Sequence, residues 1–192
     1  MNNCFQRNLD FANRGLKDAQ FIYTAEICKN ILIDQPNCIQ ARKILQTVSK
    51  SIYENKIWIT KILAQVMSIV YLFLSILVCK HNKLKMVQQS VCYYPKGKLS
   101  LILLAQAALD EDLLEVLLFA YEEMKALFPE EAKFALALGN VYISMGNYQK
   151  SLEIGHQILE KDASNIEAMD LIEQAVLARM QIQLQTNLPE NK

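Results

Sequence analysis

Apolar positions recur with a helical period along most of the chain. In residues 133–145, KFALALGNVYISM, they crowd one broad face and leave Asn140 and Ser144 off it. In 148–160, YQKSLEIGHQILE, Leu152, Ile154, Ile158 and Leu159 fall on the inner side. Gly146 and Asn147 stand between the two runs. The pattern predicts two helices of about 13 residues folded into an antiparallel hairpin, with Gly146 supplying the turn's unusual backbone angles. The preceding stretch reads the same way: KLSLILLAQAAL, then DED, then LLEVLLFAYEEMKALF. The class is all-α.

The hairpins recur at a fixed interval. Pro95 and Pro129 are 34 residues apart, and another 34 lands on Ala163 in LEKDASN, a loop by composition. Laying 98–131 over 132–165 sets Leu104 on Leu138, Ala105 on Gly139 and Ala108 on Tyr142. Asp112 falls on Gly146, Leu114 on Tyr148, Leu117 on Ser151 and Met124 on Ile158. Such a period indicates an array of helix–turn–helix repeats. The small residues Gly139 and Ser151 are expected to let the two helices of a hairpin approach, with Tyr142 and Tyr148 in the wedge between hairpins.

The run ALGNVYISMGNYQKSLEIGHQIL resembles the tetratricopeptide repeat family, through Leu138, Gly139, Tyr142, Gly146, Tyr148 and Ser151. In 98–131 the apolar pattern matches, but Asp112 replaces the turn glycine and Leu117 the small residue. The resemblance implies a short right-handed helical-hairpin solenoid. It also implies a concave groove lined by the first helix of each repeat, which holds an extended peptide or a partner helix. Leu99, Leu103 and Gln106 in one repeat, with Lys133, Leu136, Ala137 and Asn140 in the next, would line it. Plain core between repeats is the alternative role for these residues. Some family members clamp a peptide's terminal carboxylate. Only Lys133 and Asn140 stand at comparable places here, so that clamp is not carried over.

The rest of the chain extends the array. Residues 5–36 have the length and terminal Pro36 of a further repeat, so 1–50 reads as a degenerate hairpin plus the start of the next unit. NCIQARKILQTV (37–48) is the next first helix and 83–94 a later second helix, with an irregular segment in 51–97. Two repeats fill 98–165, a capping helix covers 166–186, and 187–192 is a fraying tail.

Within the irregular segment, residues 62–79, ILAQVMSIVYLFLSILVC, carry no charge. Only Gln65, Ser68 and Ser75 are clearly polar. Length and flanking lysines fit a short membrane span. Basic residues are balanced on the two sides, so no orientation follows. The favoured expectation is a helix buried on all sides of the solenoid or docked peripherally, because a span would separate the first hairpin from its neighbours. A membrane-anchored adaptor is the alternative. Trp58 fits an interfacial anchor or a core aromatic.

Composition narrows the function. The chain has 192 residues, zero net charge, and only 5 Gly and 4 Pro, too few breakers for a sandwich or barrel. Residues 1–98 hold 14 Lys or Arg against 5 Asp or Glu, and 99–192 hold 6 against 15. The halves are suited to attract each other or a second copy. The acidic half and the lack of any longer basic run argue against nucleic acid. The N-terminus has no signal-peptide pattern, and Cys4, Cys28, Cys38, Cys79 and Cys92 include no C-x-x-C. Free thiols in the cytoplasm are expected, with membrane association through 62–79 left open. His81 and His156 lack ligand-spaced partners, so no metal is expected, and no cofactor or nucleophile motif occurs. The acidic clusters at 110–112, 122–123 and 130–131 read as solvated faces or helix-start charges. The expected activity is a non-enzymatic protein-interaction module with a protein or peptide partner.

Overall fold

The computed structural model describes residues 2–77 and 80–187, with side chains described for 6–77 and 82–183. Among the described residues there are helices and turns but no strand. The helices are α1 (Asn2–Lys17), α2 (Phe21–Asp34), α3 (Ile39–Glu54), α4 (Trp58–Leu77) and α5 (Lys80–Tyr93). They continue as α6 (Lys98–Asp110), α7 (Leu114–Leu127), α8 (Ala132–Ser144), α9 (Tyr148–Lys161) and α10 (Ile166–Asn187). Cys79, the side chains of Cys4 and His81, and the 188–192 tail lie outside the described residues. The chain divides into two compact units, 1–119 and 120–192.

Three hairpin turns share one backbone solution. Ala19, Asp112 and Gly146 take left-handed φ values of +54°, +55° and +74°, each two residues before a second helix starts. Each turn has the same pair of hydrogen bonds. Gly146 N donates to Ile143 O at 2.9 Å and Asn147 N to Tyr142 O at 2.8 Å. Asp112 N donates to Leu109 O at 3.2 Å and Leu113 N to Ala108 O at 2.8 Å. Ala19 N donates to Leu16 O at 3.3 Å and Gln20 N to Gly15 O at 2.9 Å. This is the Schellman closure, which satisfies the last carbonyls of each first helix. Asp112 thus does the work of the missing turn glycine.

The second helices also end alike. Gln35, Tyr94, Phe128 and Asp162 each donate back four residues and accept from the amide three residues on. Pro36, Pro95, Pro129 and Ala163 follow them directly. The last three turns are 34 residues apart, whereas the first two are separated by 59, an excess of 25. The 20-residue α4 occupies most of that excess. The array is therefore interrupted: α3 and α5 stand where the two helices of one repeat belong, and α4 is inserted between them.

In the first unit, α1 pairs with α2 and α2 with α3 around Leu9, Ala12, Cys28, Ile31, Leu45 and Val48. Helix α4 packs along α5, and α5 along α6. At that junction Ser68, Ser90 and Ser100 are buried and hydrogen-bonded to one another at 2.7, 2.9 and 3.2 Å. Small residues let three helices meet, and each hydroxyl finds its partner there. Gln65 donates to Tyr53 Oη at 3.0 Å.

The expectation of a helix enclosed on all sides is not met. Only Ala64, Ser68, Leu72 and Ser75 of α4 are buried. Ile62, Leu63, Ile69, Phe73, Ile76 and Leu77 are exposed, as is Trp58. Ser68 and Ser75 face inward with Ala64 and Leu72, and most of the large apolar residues face outward.

In the second unit, α8 and α9 form a hairpin and α10 packs on both. A Cβ placed on Gly139 would lie 2.5 Å from Leu171 Cδ2, and one on Gly155 would lie 2.5 Å from Ile172 Cγ1. Gly139 therefore makes room for Leu171 of α10. Ala168, Leu171 and Ala175 form the buried stripe of α10.

Candidate functional site

The sequence-predicted groove residues stand on two first helices, one in each unit. On α6, Leu99 is 58% exposed, Gln106 is exposed and Leu103 half-buried. On α8, Lys133 and Asn140 are exposed and Ala137 half-buried. The two sets share a spacing of i, i+4, i+7, which makes each a single stripe along its helix. Leu99, Leu103 and Gln106 fall one 34-residue period before Lys133, Ala137 and Asn140. Leu136 does not belong with them. It is 7% exposed and part of the second unit's core.

Electrostatics fix some of these side chains. Lys133 pairs with Glu131 at 3.1 Å and stands 5.1 Å from the centre of the Phe134 ring. The side-chain amides of Gln106 and Asn140 have no protein partner among the described residues. Behind the α8 stripe, Tyr142 donates to Glu122 at 3.2 Å, with Lys150 over its ring at 5.0 Å. Burial first, and then the Glu122 carboxylate, push the Tyr142 phenol above its ordinary range.

The acidic clusters do structural work. Asp110 pairs with Lys83 at 2.8 Å, Asp112 makes the turn, Glu122 accepts from Tyr142, and Glu131 pairs with Lys133. His156 is exposed on α9. Cys28, Cys38 and Cys92 are free thiols. Burial, followed by the nearby Cys38 and Cys92, pushes the Cys28 thiol up to about 12, so it is neutral and unreactive near neutral pH. Among the described residues no group of three or more His, Cys, Asp or Glu side chains is placed to hold a metal ion.

Repeat period, shared turn geometry and a first-helix stripe recurring at the same register decide the architecture. The chain has the tetratricopeptide-repeat fold. It is similar to solved tetratricopeptide structures at low identity. MamA is 17% identical, with 93% of this chain and 84% of that one covered, at a TM-score of 0.46. A tetratricopeptide repeat protein from Parabacteroides merdae is 13% identical over 93% of this chain and 61% of that one, at 0.49. A thermophilic tetratricopeptide protein of Thermus thermophilus is 15% identical over 90% and 99%, at 0.44. No family model matches the chain, and no curated protein matches it. The assignment of the fold rests on the chain's own period and turns.

Sequence patterning misses one chemically loaded residue. Arg42, in the stretch ARKILQ, is 1% exposed in α3. It donates to Gln88 Oε1 and, at 2.7 Å, to Pro36 O. Burial pulls its guanidinium down to about 10, still charged at neutral pH. No signal in the sequence marks it, because its burial follows from the α3–α5 packing across the 25-residue excess.

Proposed function

We propose that the chain is a non-enzymatic protein-interaction scaffold whose first helices hold an extended peptide or a partner helix. The observation that carries this is the recurring outward stripe. Each repeat offers aliphatic surface, Leu99 and Leu103 on α6 or Ala137 on α8, beside one unpartnered side-chain amide, Gln106 or Asn140. An amide both donates and accepts, so it suits a peptide backbone, while the aliphatic positions take apolar side chains. Selection from a random peptide library on the full chain tests it. The selected peptides should bind Gln106→Ala/Asn140→Ala at least tenfold more weakly, with an unchanged urea midpoint. Peptides that bind the double variant as well as the parent chain would refute the reading.

A second reading rests on α4. Among the described residues it is the one helix long and apolar enough to cross a membrane. Ala64, Ser68 and Ser75 face the protein with Leu72, and most of its large aliphatic residues face out, an arrangement suited to a helix lying against hydrocarbon. Its packing partner α5 carries Asn82, Lys83, Lys85 and Gln89, which favours lying at a bilayer surface over spanning one. Flotation with anionic vesicles, lost on Ile69→Gln/Phe73→Gln, supports this reading. A chain that stays at the bottom of the gradient removes it.

A further inference from the structure

Residues 55–109 contain seven lysines and not one Asp or Glu. Helix α4 lies within that stretch, with α5 and all but the last residue of α6. At 3.6 residues per turn, eleven side chains between Trp58 and Leu77 fall in one arc of roughly 160°, and all eleven are apolar and exposed. The arc runs along a 20-residue helix, about 30 Å. It is far wider than the seam of a helix pair, which takes about two positions in seven. The α4 of a second copy laid on it would leave much of the arc in water. That copy would also set its own lysines against these, and like charges repel. A bilayer covers the whole arc at once. Cations stand around it. Lys56 and Lys61 are at the N-terminal end of α4 beside the exposed Trp58, and Lys85 is exposed on α5. Lys83 and Lys96 are paired with Asp110 and Glu54, whereas Lys56, Lys61 and Lys85 have no carboxylate partner among the described residues.

We propose that α4 docks in the plane of an anionic phospholipid leaflet, with its apolar arc at the acyl boundary and the surrounding lysines on the phosphate headgroups. The proposal rests on the bilayer reading of α4 and names the lipid that this face selects. The arc supplies non-directional affinity for any hydrocarbon surface. Lysines near an anionic surface add a charge contribution that salt screens. The docking is therefore reversible: a lower anionic share in the leaflet, or higher ionic strength, removes one of its two contributions. The absence of carboxylates from 55–109 spares this part of the chain the repulsion that Asp or Glu would meet at such a leaflet. Trp58, the single tryptophan of the chain, stands at the end of the arc, where an amphipathic ring sits at headgroup level.

Trp58 is also the probe. Titrating the full chain with vesicles of phosphatidylcholine that hold a one-third share of phosphatidylglycerol should shift its emission to the blue and saturate. Vesicles of phosphatidylcholine alone should bind at least tenfold more weakly. Raising salt from 0.1 to 1 M, which shortens the screening length from about 10 to about 3 Å, should bring the anionic vesicles close to the neutral level. Lys56→Gln/Lys61→Gln/Lys85→Gln, changes at side chains that reach solvent, should weaken binding to the anionic vesicles at least tenfold with an unchanged circular dichroism spectrum. Ile69→Gln/Phe73→Gln should abolish binding to both kinds. Equal binding to the two vesicles, or undiminished binding by the lysine variant, overturns the anionic selectivity and leaves the bilayer reading standing. Binding to neither removes both. Self-association without vesicle binding, lost on Ile69→Gln/Phe73→Gln, gives the face to a second copy and overturns the proposal.

Discussion

Replacing Ala19 by glycine should stabilise the protein, although glycine usually weakens a helical protein. Ala19 holds φ at +54° in an exposed turn between α1 and α2. A left-handed conformation costs an L-residue roughly 1–2 kcal/mol. Glycine removes that strain, but it returns roughly 0.4–1 kcal/mol of conformational freedom to the unfolded chain. The net gain is about 0.5–1 kcal/mol. Gly146→Ala is the mirror experiment. Nothing lies within 4 Å of a Cβ built there, so no clash adds to the backbone term, and a loss of similar size is expected. Urea unfolding followed by far-ultraviolet circular dichroism reads both. With m near 2 kcal/mol/M, the midpoint should rise by about 0.3 M for Ala19→Gly and fall by about as much for Gly146→Ala. A lowered midpoint for Ala19→Gly would refute the claim that these turns share one left-handed closure.

Four further outcomes follow from the packing. Leu138→Ala and Tyr142→Ala should each cost roughly 2–5 kcal/mol in urea titrations, as buried large-to-small changes do. Ser68→Leu should cost roughly 1–3 kcal/mol by overpacking the three-serine junction, whereas Ile69→Ser on the outer face of the same helix should stay within about 0.5 kcal/mol. Cys28 has its folded pKa raised to about 12 from an ordinary 9.0. Its protonated form is favoured by folding, so its contribution is complete below pH 9 and is lost as pH rises toward 12. Cys28→Ala should flatten that alkaline decline in stability. Modification of Cys28 by a thiol reagent at pH 8 should wait for unfolding, because the side chain is wholly buried.

What could be read from the sequence divides along local and non-local lines. The α8–α9 hairpin was legible because Gly146 marks the turn and Pro129 marks the break before it, both local backbone effects. The α1–α2 turn left no mark, because Ala19 has no preference for the conformation it adopts. Asp112 tolerates that conformation, which is why 98–131 keeps the hairpin without a glycine. The length and lack of charge of 62–79 were plain, but the inward face of α4 was not. Ser68 reads as a blemish in an apolar run, and only Ser90 of α5 and Ser100 of α6 make it part of the packing face. In the candidate site, the spacing placed Leu99, Gln106, Lys133 and Asn140 on exposed surface and misplaced Leu136 by one step around α8. Arg42 was illegible, since its burial depends on Gln88 and Pro36, far from it along the chain or on another element.

The role of the first-helix stripes as the partner-binding surface is tested most directly by site-specific photocrosslinking in the native cell. A benzophenone side chain placed at Asn140 or Gln106 should give discrete protein adducts that a selected peptide suppresses. The same probe at His156, exposed on the second helix α9, should give none that the peptide affects. Peptide-sensitive adducts from position 156, with none from 106 and 140, would contradict the account.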